Sequence, residues 1–219
     1  GLTLYSHNQL YGRWYVTARG TMPSTRRSLR VGLHTAAQSA LLYSASDIEV
    51  LTRAQAASHP YLARLGPDVL DPDLSWREIS RRLAEPAFRN RSLGALYLDQ
   101  RFLAGLGNYL RSEILFFARL SPALRARELG RVERNRLARE TLKVVQRAYL
   151  GAGVTLPTAW SNRVERDGAG RSDRRFAVFA RAGRPCRSCA GRVERIEVGG
   201  RRLYVCPKCQ ARTDGDDDD

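Results

Sequence analysis

Residues 99–116 read DQRFLAGLGNYLRSEILF. Gly105 and Gly107 stand directly before Asn108, and behind it Leu110, Ile114 and Phe117 recur at helical spacing. The stretch reads as a tight turn feeding a helix that runs through Glu113, with Asn108 as its capping residue. A helix N-terminus offers unpaired N–H groups and partial positive charge, which suits a phosphate. A plain corner between two helices needs the same residues, so the stretch alone leaves both readings open.

Outward from this turn the helical spacing continues between Trp76 and Gly151: Ile79 with Leu83, Leu93 with Leu96 and Tyr97, then Leu137 through Leu142 to Val145 and Tyr149. This predicts a helical domain of four or five helices. Upstream, GPDVLDPDL at 66–74 interrupts regular structure, and Ser75 or Asp73 can cap a helix starting near Trp76. A domain boundary is placed there, dividing 1–66 from 67–176. In the first part, apolar residues alternate or cluster over Leu2 to Val16, Leu29 to His34 and Ala40 to Tyr43, which reads as antiparallel strands. Downstream, GAGVTLPTAWSNRVERDGAGRSDRRF has four glycines and mixed charge, predicting a long mobile loop near 151–175. Trp14, Trp76 and Trp160 all read as core residues, and Trp160, inside this loop, is the one that could alternatively stack on a base. The fold class is α+β.

The four cysteines stand as Cys186-x2-Cys189 and Cys206-x2-Cys209. Two such knuckles bring four thiolates together in the tetrahedral set that Zn2+ prefers; two disulfides are the alternative use. RVERIEV and RRLYV flank Gly199-Gly200 as the strands of a hairpin, so 177–212 reads as a zinc-held module. Four thiolates leave no open position, so the zinc, one ion per chain, is structural. The module's core is too small to stand without metal, whose removal is expected to unfold the hairpin and leave the helical domain folded. Arg187, Arg192, Arg195, Arg201, Arg202 and Lys208 crowd it, with Arg201 and Arg202 at the turn.

Lys plus Arg total 37 against 22 Asp plus Glu, a formal net charge of +15. A polyanion is the expected partner. All but Lys143 and Lys208 of these cations are arginine, whose planar fork grips phosphate, although a GC-rich genome gives the same bias. Residues 213–219, with five aspartates, read as a disordered acidic tail. No run of 18 apolar residues and no basic-then-apolar N-terminus occurs, which predicts a cytoplasmic protein without a membrane partner. His7, His34 and His59 are too scattered to suggest a metal site or a catalytic triad.

YSHNQLYG at 5–12, LLYSASDIEVL at 41–51, GPDVLDP at 66–72, LDQRFLAGLGNYLRSEIL at 98–115 and the hairpin ending CPKCQ together resemble the formamidopyrimidine-DNA glycosylase and endonuclease VIII family, on its endonuclease VIII side. The resemblance implies a β-sandwich domain, a helix-two-turns-helix domain and a zinc finger, with damaged duplex DNA bound between the two halves. It implies a monomeric base-excision repair protein, associated with the nucleoid through DNA, from a group of bifunctional glycosylase/AP lyases that remove oxidised pyrimidines. Asn108 resembles the residue that holds a phosphate near the lesion, and Arg201 the finger arginine beside the flipped nucleotide. Asp99 resembles an acid at the start of the turn. Gln9, Leu10 and Tyr11 resemble a triplet that fills the space left by an extruded base, although by pattern alone Leu10 and Tyr11 read as strand. The family's chemistry belongs to an N-terminal Pro-Glu and an upstream Lys, and this sequence begins at Gly1 within the resembling region. The expectation is therefore a chain starting in the later part of the sandwich domain, without catalytic residues, that binds damaged DNA and does not cleave it. A non-catalytic damage-binding module and the oxidised-purine branch of the family are the alternatives.

Overall fold

The computed structural model describes residues 1–9, 11–168, 170 and 173–211. Leu10 and the acidic segment 213–219 lie outside them. The chain forms two compact units, Gly1–Ala63 and a second beginning at Arg64, so the division falls a few residues before the Pro-rich 66–74.

The first unit holds β1 (Leu2–His7), β2 (Arg13–Ala18), β3 (Leu29–His34), β4 (Gln38–Tyr43) and β5 (Asp47–Thr52). β1 pairs antiparallel with β5, and β4 lies between β2 and β3 in a three-stranded antiparallel sheet. As the central strand, β4 is paired along both edges, and its run Leu41-Leu42-Tyr43 is buried throughout. The stretch LLYSASDIEVL is not one strand: Ser44 at φ +54 turns the chain between β4 and β5. A short helix, α1 (Arg53–Ser58), follows. Thr52 Oγ1 accepts from Gln55 N–H and Gln55 Oε1 accepts from Thr52 N–H, a reciprocal cap that sequence reading missed.

The second unit contains α2 (Trp76–Leu83), α3 (Leu93–Leu96), α4 (Asn108–Phe117), α5 (Arg131–Leu150), α6 (Thr158–Arg166), β6 (Glu194–Val198) and β7 (Arg201–Val205). Ser75 caps α2 as expected, its Oγ accepting from Glu78 N–H at 3.2 Å. Ile79 and Leu83, one turn apart on α2, are fully buried with Leu137 and Val144 of α5 and Ile114 of α4. Each such side chain stabilises the fold by roughly 1.5–3 kcal/mol.

Two expectations need correction. The loop near 151–175 contains α6. Pro157 sits at its N-cap with φ −57, and Trp160 and Val164, four residues apart, turn inward; Trp160 packs on Phe117 with centroids 5.8 Å apart. The glycines and charges around it masked one apolar stripe, and Trp160 belongs to a core cluster. The cysteine module is also not a separate body: Leu203 and Val205 of β7 belong to the same core as α2, α4 and α5. Metal removal is therefore expected to disturb the helices too. The hairpin turn itself is as read, with Gly199 and Gly200 both left-handed at φ +63 and +70, a turn that favours glycine at both positions.

Candidate nucleic-acid interface and metal centre

The turn before α4 is built by side chains from its own first half. Gln100 Oε1 accepts from Gly105 N–H at 3.0 Å, and its Nε2 donates to the carbonyls of Leu98 and Leu106. Gly105 takes φ +90 there, which a side chain would strain. Arg82 of α2 donates to the carbonyls of Phe102 and Arg101, at 3.0 and 2.8 Å. Asp99 is committed to structure: it accepts from Arg101 N–H, Nε and Nη2, at 3.0, 3.0 and 2.9 Å, and pairs with Arg91. Burial alone would raise its carboxyl pKa, but the hydrogen bonds from Arg101 and the charge of Arg91 outweigh burial and hold it below the usual carboxylate value.

Asn108 does not cap α4. The N-cap is Gly107, which has no side chain to offer, and Asn108 is the first helical residue. Its Oδ1 instead accepts from Arg111 Nη2 at 2.6 Å, so the side chain is held against the next turn rather than over the helix end. The leading N–H groups of α4 thus have no side-chain cap, the arrangement that binds anions.

Arg111, which sequence reading missed, joins the site together. Its side chain is fully buried, and Nη1 donates to the carbonyls of Gly94 (2.9 Å) and Val198 (3.3 Å). Nη2 reaches the carbonyls of Arg202 (3.1 Å) and Arg201 (3.4 Å) as well as Asn108. One guanidinium therefore holds Asn108 in α4 and both strands of the hairpin, with Arg201 exposed at the tip. Burial, and then the charge of Arg201, push the Arg111 pKa down to about 10. A cleft of about 370 Å3 opens here, lined by Leu98, Asp99, Gln100 and Arg101 on one side and Val198, Gly199 and Arg201 on the other.

Glu113 is the second missed residue. Fully buried, it accepts from Thr155 Oγ1 (2.5 Å) and from the N–H groups of Ala177 (2.8 Å), Val178 (2.8 Å) and Phe179 (2.9 Å). This pins the chain leading into the first cysteine knuckle to α4. The sequence offers only a partial hint: Arg and Glu interrupt an otherwise apolar helix, and Arg111 follows Asn108 by three residues, but their other partners lie far along the chain.

In the first unit, Gln9 and Tyr11 stand in the turn between β1 and β2, not in a strand. Gln9 is left-handed at φ +46 and Tyr11 is 64% exposed. Tyr11 and Gly12 donate their N–H groups to the Asn8 carbonyl, and Arg27 Nη1 donates to that of Tyr11. Both side chains are thus presented at a loop tip.

The four cysteines converge. All four sulfur atoms lie within 4.8 Å of one another, with Cys186 and Cys209 3.9 Å apart and Cys189 and Cys206 3.5 Å apart. A zinc tetrahedron with bonds of about 2.3 Å needs edges of about 3.8 Å, whereas a disulfide needs sulfurs at about 2.05 Å. The thiol set fits zinc. The N–H of Gly191, and then Cys209, push Cys189 down to about 7, while burial and the neighbouring sulfurs push Cys209 up. A divalent cation offsets the repulsion that opposes ionising all four thiols. Gln210 braces the second knuckle: its Oε1 accepts from Cys206 N–H (2.9 Å) and its Nε2 donates to the Leu120 carbonyl (3.0 Å).

Residues 65–158 match the formamidopyrimidine-DNA glycosylase H2TH domain, and residues 183–212 match the zinc finger found in FPG and IleRS. Endonuclease 8 of Salmonella arizonae is 47% identical over 210 residues, covering 96% of this chain and 76% of that protein. The chain belongs to the formamidopyrimidine-DNA glycosylase and endonuclease 8 family. Endonuclease 8 of Escherichia coli is 46% identical over 210 residues, with the same coverage of 96% and 76%. Among solved structures, Lactococcus lactis Fpg in complex with DNA containing an abasic site superposes with a TM-score of 0.76 at 20% identity, covering 96% of this chain and 76% of that one. MutM in complex with DNA containing carbocyclic 8-oxo-G gives 0.75 at 20% identity, covering 96% and 75%. These structures establish the shared fold. The family domain and the four clustered sulfurs together make the metal a structural Zn2+.

Proposed function

We propose that this member of the endonuclease 8 family acts as a monomer in base-excision repair, binding damaged duplex DNA with oxidised pyrimidines as its lesion class. The observation that carries the reading is the Arg111 clamp: it sets the uncapped N-terminus of α4 beside Asn108 and the hairpin tip bearing Arg201. In this reading the α4 N–H groups and Asn108 take one phosphate near the lesion, and Arg201 takes the phosphates beside the displaced nucleotide. Gln9, Leu10 and Tyr11 fill the stack that the nucleotide leaves; the exposed loop position of Gln9 and Tyr11 supports this. That the relatives at 46–47% identity are named Endonuclease 8 favours the oxidised-pyrimidine branch.

Neither lysine lies beside this cleft. Lys143 on α5 pairs with Glu140 at 2.9 Å, and Lys208 stands in the second knuckle. The 219 residues thus supply recognition, and borohydride treatment of this chain with abasic-site duplex is expected to trap no covalent imine; a trapped complex would contradict this. The binding claim is tested by fluorescence anisotropy on abasic-site duplex. Arg201→Ala should weaken binding about tenfold and lower the salt slope by about one, whereas Arg131→Ala, an exposed change on α5, should have little effect. Equal effects would refute the assignment of Arg201.

A further inference from the structure

A cavity of about 270 Å3 lies between α6 and the chain around the first cysteine knuckle, and it shares no lining residue with the cleft between Asp99 and Arg201. Trp160, Arg163 and Asp167 line it from α6 and its C-cap, and Arg181 and Arg187 line it from the knuckle side. Three guanidinium groups line it, against one carboxylate and the sulfur of Cys186. Of the nearby acids, Glu165 pairs with Arg174 and Asp173 with Arg184, while Asp173 and the buried Glu113 also act by charge on Arg181 and Arg187. Arg163 is exposed and makes no ion pair or side-chain hydrogen bond among the described residues.

The other two arginines are oriented by neutral backbone carbonyls, which fix a guanidinium without cancelling its charge. Arg181 Nη2 donates to the Pro185 carbonyl at 3.0 Å, and its Nε is buried without an acceptor. Arg187 Nε donates to the Phe176 carbonyl at 3.2 Å, and its Nη2 to that of Asp173. An anion in the cavity gives these fixed guanidinium groups a counter-charge and the buried Arg181 Nε a neighbour of opposite sign. Trp160, held against Phe117, supplies a fixed aromatic wall.

We propose that this cavity binds the phosphate group of a single nucleotide unit, with Arg163, Arg181 and Arg187 holding the phosphate and Trp160 bounding the attached sugar or base. Three planar donors around one opening match the geometry of a phosphate's oxygens. The volume lies at the small end of ligand sites, which suits one phosphate-bearing unit and excludes a base pair. Asp167 opposes the ligand. The phosphate comes either from a DNA strand passing the finger or from a free mononucleotide, and both present the same group.

The zinc-loaded 219-residue chain is titrated calorimetrically with inorganic phosphate, thymidine 5′-monophosphate and a four-residue oligothymidylate. Arg163→Ala should weaken binding about tenfold and Asp167→Asn should tighten it. Arg166→Ala, exposed on the same helix but outside the cavity wall, should match the wild type. Arg163-dependent binding of inorganic phosphate and the monophosphate identifies a free nucleotide as the source; Arg163-dependent binding of the oligothymidylate alone identifies a DNA strand. Arg201→Ala, run in parallel, should leave the Arg163-dependent part intact, which separates this site from the cleft described above. No binding of any of the three probes, or equal affinity of Arg163→Ala and wild type for all of them, overturns the proposal.

Discussion

Arg111 and Glu113 decide how the second unit is held together, and both are charged residues without exposure. A buried ion is tolerated when most of its hydrogen-bonding capacity is used; Glu113 and both terminal nitrogens of Arg111 bond chiefly to backbone groups of other segments, and only Arg111 Nε is left without a partner. Arg111→Lys keeps the charge but cannot span Asn108 and the hairpin carbonyls. It should destabilise the fold by about 2–4 kcal/mol in urea denaturation, with a parallel loss of DNA affinity. A loss below about 0.5 kcal/mol would mean that the clamp is dispensable. Glu113→Ala leaves three N–H groups unpaired and should cost about 3 kcal/mol or more. Asp99 gives a pH signature. Its folded pKa lies below the unfolded one, so its stabilisation is complete above the ordinary carboxylate range and fades as pH falls through that range towards the folded value. Asp99→Asn should flatten this acid limb in thermal melts recorded between about pH 5 and 2; an unchanged limb would place the acid sensitivity elsewhere.

At the level of elements, the hairpin and α4 form one cooperative piece, because Leu203 and Val205 share the helical core and Arg111 binds both hairpin strands. Chelating zinc should therefore lower hydrogen-exchange protection in α4 together with β6 and β7. Full protection of α4 in the metal-free chain would restore the picture of a detachable finger. Much of this was legible in the sequence, because it rests on local signals. Ser75 before Trp76, the double glycine at 199–200 and the cysteine spacing each specify a structure within a few residues. What escaped reading rests on long-range partners. Nothing local shows that Asn108 Oδ1 is taken by Arg111 instead of the helix N-terminus, or that Asp99 is spent on Arg91 and Arg101. Arg111 and Glu113 resemble surface charges until their acceptors and donors, many tens of residues away, are known. α6 was hidden for a different reason: its Trp160 and Val164 stripe is only two residues long, inside a segment rich in glycine and charge.

Across the whole molecule, the net charge of +15 makes affinity for any DNA steeply dependent on salt, so specificity has to come from placed groups. Two such sets stand out. Tyr11→Ala in the first unit should narrow the difference between abasic-site and intact duplex without changing affinity for single strands, because a wedge gains only where a base has left the stack. An unchanged difference would remove Tyr11 from recognition. In the second unit, Arg111 ties Asn108 of α4 to the backbone of Arg201 in β7, so their effects on binding should be coupled. The most direct measurement is a double-mutant cycle on abasic-site duplex affinity, with Asn108→Ala, Arg201→Ala and the combination, at two salt concentrations. Each single change should weaken binding about tenfold, and the pair should fall short of additivity by about 0.5 kcal/mol or more. Strict additivity, or wild-type affinity in either single variant, would contradict this expectation.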